Sequence, residues 1–447
     1  MSGMSDGFLS DPPVPSTRPA DGRRPLFAEF DRGTLPEWAL VRHRMDPAEV
    51  SDVRAAVRAA LEPVMGTVRP GARVCVAAGS RGIDRIDQVV RAVVGRLQEA
   101  GATVFIVPAM GSHGGATAEG QLEVLAGYGI TPEAMGCEIR SSMETVELGE
   151  IVPGVPVFVD RHAFEEADLI VPINRVKPHT DFEGEIESGL MKMIAIGLGK
   201  QKGADTLHRQ GFATFHELIP AVGLHTLAHA PIPFGVALVE NGYARLVLVE
   251  AVVADRIPER ERELLAIARA AMARLPLDAI DVLVLDAIGK DISGLGMDSN
   301  VVGRYYAGPT GSGPSIKRIV VRDLTRETEG NAVGIGMADV VLRRAVEKID
   351  YHKTYMNCIT AKTPEGARVA LTVDSDREAL SIAIACAIKV SPETARIVRV
   401  RDTKHLELLY VTSPALADVL ATGRCEVVEP LHPIHFDDTG TFVDDGL

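Results

Sequence analysis

RVCVAAGSRGIDRIDQVVRAVVGRLQEAGATVFIVP, residues 73–108, decides the fold. Arg73 to Ala78 and Thr103 to Pro108 are short, rich in β-branched residues and almost continuously apolar, the pattern of strands covered on both faces of a sheet. Between them, Ile86 to Leu97 repeats apolar residues at i, i+3, i+4 and i+7, one face of an amphipathic helix. Strand, helix and strand in that order imply a parallel crossover unit. The alternation extends both ways: a helical pattern at Val53 to Leu61 precedes it, and strand-like runs at Val155 to Asp160 and Asp168 to Ile173 follow, expected to be buried on both faces. After a helical segment at Pro258 to Leu275, VLVLD at Val282 to Asp286 opens a second series. That series continues with Ile319 to Arg322, helices at Ala338 to Ile349 and Arg377 to Ile388, and strands at Ile397 to Val400 and Leu406 to Val411. The expected class is α/β: two α/β domains with largely parallel sheets and an active-site cleft between them. The expected boundaries are a disordered tail over 1–30, an N-terminal α/β domain over 31–277 and a C-terminal α/β domain over 278–447 that closes the cleft.

Composition restricts the partners. The chain has 447 residues, 46% hydrophobic and 24% charged, enough for two or three globular domains. A formal charge of -14 argues against nucleic-acid and anionic-membrane surfaces, which need clustered Lys and Arg, so any anionic substrate must be held by a few local cations. The 5 cysteines are dispersed without a CxxC pair, which favours a reducing cytoplasm over a disulfide framework or thiolate zinc site. The first residues lack the apolar core of a signal peptide. The longest apolar region, Ile219 to Glu240, is interrupted by His225, His229 and prolines, so no membrane span is expected.

Polar loops fall after several of the strands, where open α/β sheets gather ligands. Gly79-Ser80-Arg81-Gly82 follows the first and suits a phosphate or carboxylate, or is simply a turn. Gly111-Ser112-His113-Gly114-Gly115 follows the second, with Thr117 placed to cap a helix. Lys177-Pro178-His179 follows a later one, then Ser188-Gly189-Leu190-Met191-Lys192 and Leu207-His208. The second series adds Gly289-Lys290-Asp291 and a polar run through Asp298, Asn300 and Arg304. Neither GxxxxGK[ST] nor GxGxxG is present after a strand, which leaves nucleotide hydrolysis and ordinary NAD binding unsupported. Imidazole moves protons near neutral pH and ligates borderline transition metals. Lys192, among apolar neighbours, reads either as a snorkelling side chain or as a desolvated amine open to covalent modification. Arg304 reads either as a bidentate carboxylate holder or as a salt-bridge partner.

In combination these residues resemble the nickel-dependent lactate racemase family. Its pattern is a histidine in a GxH loop, a second in a Pro-His pair, a lysine ending an SGGxK-like segment and a histidine sixteen residues later, and His113, His179, Lys192 and His208 match in that order. The resemblance implies a nickel-pincer nucleotide, a pyridinium-3-thioamide-5-thiocarboxylic acid mononucleotide with Ni(II), tethered through Lys192 and ligated through His208. His113 and His179 would then be the alternating acid and base. Ser80, Arg81, Gly114, Gly115, Ser188 and Gly189 are the accompanying cofactor-binding candidates, and Arg81, Lys290, Asp298, Asn300 and Arg304 the substrate-binding ones. The implied reaction is racemisation or epimerisation of a 2-hydroxy acid, with hydride leaving and returning at C2 through a planar 2-keto acid. Two bases are needed because the two configurations present their hydroxyls differently. Cofactor-biosynthesis proteins would be partners. The interval from His179 to Lys192 departs from the family in its length and in Asp181, Glu183, Glu185 and Glu187, which suggests a larger, more polar substrate than lactate, a sugar acid being one candidate. Two other readings remain: a nickel-free lyase or dehydratase acting on a polyol acid with the same histidines, and a non-enzymatic cofactor or metal carrier.

Overall fold

The structure is a computed structural model and describes residues 28–30, 33–79, 82–305, 313–443 and 447. The expected tail over 1–30 therefore lies almost wholly outside the described residues, as do Ser80 and Arg81.

The stretch 73–108 folds as its pattern requires. Arg73–Ala78 and Thr103–Pro108 pair in parallel register, Val74 opposite Val104 and Ala78 opposite Pro108. The helix Ile86–Glu99 between them buries Ile86, Val89, Val90, Val93, Val94 and Leu97. The six-stranded sheet built around this unit runs Glu138–Ile139, Thr103–Pro108, Arg73–Ala78, Leu169–Arg175, Phe234–Glu240, Leu246–Val253, and only the last pair is antiparallel. Alternate residues of one strand serve opposite cores: Val74 and Val76 pack on one face, Cys75 and Ala77 on the other. This two-sided burial is why the strands lack a polar face.

The eight-stranded second sheet runs Leu371–Val373, Val340–Leu342, Ser315–Val321, Ala279–Leu285, Ile397–Val400, Leu408–Thr412, Trp38–His43, Cys425–His432. Its first five strands are parallel and the remaining pairs antiparallel. The chain is thus mixed α/β with largely parallel sheets. Trp38–His43, inside the segment assigned to the N-terminal unit, pairs in this second sheet, so the chain crosses between the sheets near its start.

Two expected elements differ. Val155–Asp160 is not in the six-stranded sheet but forms a two-stranded antiparallel hairpin with Thr145–Val152. Val155, Val157 and Val159 are buried while Pro156 and Phe158 are only partly so, the period-two signature of a strand covered on one face. The helix expected over Ala338 to Ile349 is instead a strand, Val340–Leu342, followed by the short helix Arg343–Val346. Its Val-Val-Leu triplet is fully enclosed between Ser315–Val321 and Leu371–Val373, and the parallel ladder there outweighs the helical periodicity. No helix among the described residues is long and apolar enough to cross a membrane.

Candidate functional site

A cavity of about 490 Å³ opens beyond the carboxyl ends of the strands Arg73–Ala78, Thr103–Pro108 and Leu169–Arg175. Its wall takes His113, His179 and Lys192 from the first half of the chain and Lys290, Asp298 and Lys404 from the second.

His113 is presented by a loop that only small residues can form. Gly111, Gly114, Gly115 and Ala116 all have positive φ, and a Cβ on Gly114 would lie 2.5 Å from the backbone of Gly120. Thr117 caps the helix Ala118–Gly127 as expected, accepting from the Gly120 N–H at 3.0 Å while its hydroxyl donates to the Gly114 carbonyl at 3.1 Å. Gln121, on that helix, donates through Nε2 to the carbonyls of Gly111 at 2.9 Å and His113 at 3.3 Å.

His179 sits on a loop closed by an antiparallel bridge between Lys177 and Ser188. Glu187, 1% exposed, is the anchor of that loop: Oε2 accepts from the His179 N–H at 2.6 Å, and Oε1 accepts from Gly184 at 3.0 Å and from Arg269. Burial pushes its carboxyl above the usual range in spite of those donors. The imidazole stacks on Phe182 at 4.4 Å, accepts the Asp181 N–H at Nδ1 at 3.0 Å, and turns Nε2 to the Lys192 amine. An imidazole and an amine in direct contact can pass a proton between them.

Lys192 lies on a short helix, Leu190–Lys192, continued as a wider turn over Met193–Gly197. The start of that helix is capped from another element: Glu261, fully buried, accepts from the Met191 N–H at 2.9 Å. A Cβ on Gly189 would lie 2.4 Å from this carboxylate, so a larger residue there would push Glu261 out of its place. Burial pushes the Glu261 carboxyl up to about 7.

His208 ends the helix Lys200–His208. Its Nδ1 faces the Ala204 carbonyl at 2.6 Å, and since a carbonyl only accepts, the ring proton is there and Nε2 keeps its lone pair. Burial, with the Lys192 charge as a lesser cause, lowers its pKa from the ordinary value, which favours the neutral ring. Its ring meets Phe212 and Phe215 edge-on, and Phe212 is also 6.3 Å from the His179 ring. His208 does not itself line the cavity. Among the described residues no group of three or more His, Cys, Asp or Glu side chains could hold a metal ion.

The polar run after Gly294 docks on the His179 loop. Asp298 faces the Lys177 amine at 3.3 Å, the Ser299 hydroxyl donates to the Thr180 carbonyl at 2.7 Å, and Asn300 Nδ2 donates to the His179 carbonyl at 3.0 Å.

Residues 35–217 match the model of the lactate racemase N-terminal domain. That segment is therefore similar to the lactate racemase N-terminal domain. Among solved structures, a protein from Thermotoga maritima shares 13% identity at a TM-score of 0.51, covering 79% of this chain and 97% of that one. The lactate racemase apoprotein from Thermoanaerobacterium thermosaccharolyticum shares 14% identity at a TM-score of 0.49, covering 83% of this chain and 99% of that one. No curated protein sequence matches.

The cavity gathers some of the expected residues and leaves out others. His113, His179, Lys192 and Ser188 line it, whereas Gly114, Gly115 and Gly189 shape the backbone behind it. Lys290 and Asp298 line it, but Asn300 acts from behind through the His179 carbonyl. Arg304 does not line the cavity: its guanidinium is taken up by Asp339 at 2.6 Å and by the carbonyls of Met337, Ile316 and Lys317. The acidic stretch is not a substrate wall either, since none of Asp181, Glu183, Glu185 and Glu187 lines the cavity. Glu187 is turned inward, and Glu185 pairs with Arg262 at the surface at 3.0 Å. Sequence reasoning quoted Lys177 without giving it a role, and it missed Lys404 and Asn241 on the wall and Glu261, Gln121 and Lys200 behind it. Burial was the signal for the last three, and it is invisible in an isolated Glu, Gln or Lys.

Proposed function

We propose that this chain is an isomerase of the racemase or epimerase type acting on a 2-hydroxy acid with a nickel-pincer nucleotide. The observation that carries the reading is the convergence of His113, His179 and Lys192 on one cavity from a segment similar to the lactate racemase N-terminal domain. The residues fit the cofactor. Lys192 offers an amine at the cavity wall for the tether, and His208 offers the donor arrangement of a metal-ligating histidine, one ring nitrogen bonded to a carbonyl and the other left to ligate. When bound, the cofactor supplies a hydride acceptor and donor.

The chain's own groups do the rest. His113 and His179 take and return the substrate hydroxyl proton, one for each configuration, and a side chain that titrates near neutral pH does both. Lys290 and Lys404 supply the cationic side of the cavity for the substrate carboxylate, in place of Arg304. Ser293 and Thr403 add neutral polar groups to the wall, which suits an acid with further hydroxyls.

Production in a host that makes the cofactor, followed by intact mass, nickel analysis and an assay of inversion at C2 across 2-hydroxy and aldonic acids in deuterated water, tests the reading. An adduct lost in Lys192→Ala, with at least one acid inverted at C2 while it keeps its original C2 hydrogen, is expected. A nickel-free protein that eliminates water from a polyol acid would overturn it in favour of a dehydratase.

A further inference from the structure

We infer that Lys200 and Gln121 are positioning residues that aim His113 into the cavity; the inference rests on the reading of His113 as a proton carrier. Both side chains are 0% exposed and neither lines the cavity. Lys200 opens the helix that ends in His208, at a positive φ of 54°. Its ammonium forms an ion pair with Asp160, Oδ2 lying 3.0 Å away, and donates to Gln121 Oε1 at 3.2 Å and to the carbonyl of Pro108. Pro108 ends the strand from which the His113 loop departs.

The contact to Gln121 fixes which way its amide points. With Oε1 held by the lysine, Nε2 must face the loop, where its two hydrogens reach the carbonyls of Gly111 and His113 on either side of Ser112. The flipped amide would set NH2 against an ammonium and oxygen against two carbonyls, so the buried charge admits one orientation only. The loop's own backbone bonds, from the His113 N–H to Met110 at 3.2 Å and from the Ala116 N–H to Ser112 at 3.1 Å, close its turns, and the Gln121 amide ties those turns to the helix Ala118–Gly127. An apolar side chain of similar volume at 200 would fill the space without orienting Gln121. One buried amine therefore ties the strand end, the His113 loop and the helix bearing His208 into one unit.

The isosteric variant Gln121→Glu keeps an acceptor for Lys200 but removes both donors to the loop, and Gln121→Met removes donors and acceptor together. Because Lys200→Met leaves Asp160 buried without its cation and can fail to fold, the Gln121 variants carry the test. Amide hydrogen exchange over 109–117, measured on wild type and both variants without cofactor, should accelerate by about tenfold or more while exchange in the helix Ile86–Glu99 stays unchanged. With cofactor installed, kcat for inversion at C2 should fall by about 10- to 100-fold with KM within about twofold, as misaim of a proton carrier predicts. Unchanged loop exchange in both variants, or a change confined to KM, overturns the inference. Loosened loop exchange in variants of a protein whose wild type, fully loaded, inverts no acid at C2 would sustain the clamp and reject the racemase reading.

Discussion

Replacing Glu261 with glutamine will flatten the pH dependence of folding stability in the weakly acidic range. Glu261 is wholly buried in the helix Ile257–Ala271, with Oε2 accepting from Met191 and Oε1 making no hydrogen bond. Its carboxyl is pushed from 4.5 to about 7, burial being the cause and the Met191 and Leu190 amides opposing it. Between those two values the folded protein holds the proton and the unfolded chain has released it. Stability is therefore greatest below the unfolded pKa, falls as pH rises toward the folded pKa, and levels off above it. A gap of that size corresponds to about 3 kcal/mol, at ~1.4 kcal/mol per pH unit. Glutamine does not titrate, and its amide oxygen can still accept from Met191. Urea unfolding of both proteins at about pH 5, 6, 7 and 8 isolates the contribution, because every other titrating group cancels in the difference. Wild type should lose about 3 kcal/mol relative to E261Q between the lowest and highest pH. Parallel stability curves would refute the reasoning and leave Glu261 ionised in the fold.

Lys200→Met should destabilise the protein by about 3–5 kcal/mol, since it strands the buried Asp160 carboxylate, and adding Asp160→Asn should recover part of that loss in a calorimetric scan. Arg304→Ala should lower the urea midpoint by freeing Asp339 and three carbonyls, yet leave the KM of any turned-over acid within about twofold; a large KM change would restore Arg304 as a substrate group. Asn300→Ala removes the bond to the His179 carbonyl, and should lower kcat by about tenfold with a shift of only a few degrees in Tm. His208→Ala should keep the Lys192 adduct in the intact mass while losing nickel by elemental analysis, separating tether from ligand.

Much of the fold is legible in the chain because the information is local. The run 73–108 carries its own period change, from continuous apolar residues to a 3.6-residue repeat and back, and each period suits only one element type. Thr117 announces its cap, and the glycines around His113 announce a backbone that only small residues form. Where an element depends on a distant partner, the chain misleads: Val340–Leu342 reads as helix until two flanking strands claim it, and Trp38–His43 has no local sign that it pairs with residues some 370 positions away. The site divides along the same line. His113, His179, Lys192 and His208 stand out because imidazoles and an amine beside glycines in loops have little packing role. What aims them does not stand out. Glu187, Glu261, Gln121 and Lys200 are ordinary polar residues in sequence, and the acidic stretch 181–187 reads as a substrate surface until the fold turns Glu187 inward. A hydrogen bond's worth depends on whether water competes for it, and that is decided by burial. The chain by itself therefore determined which groups could do chemistry, and the tertiary structure alone decided which face the cavity, which are consumed in holding them, and which way each one points.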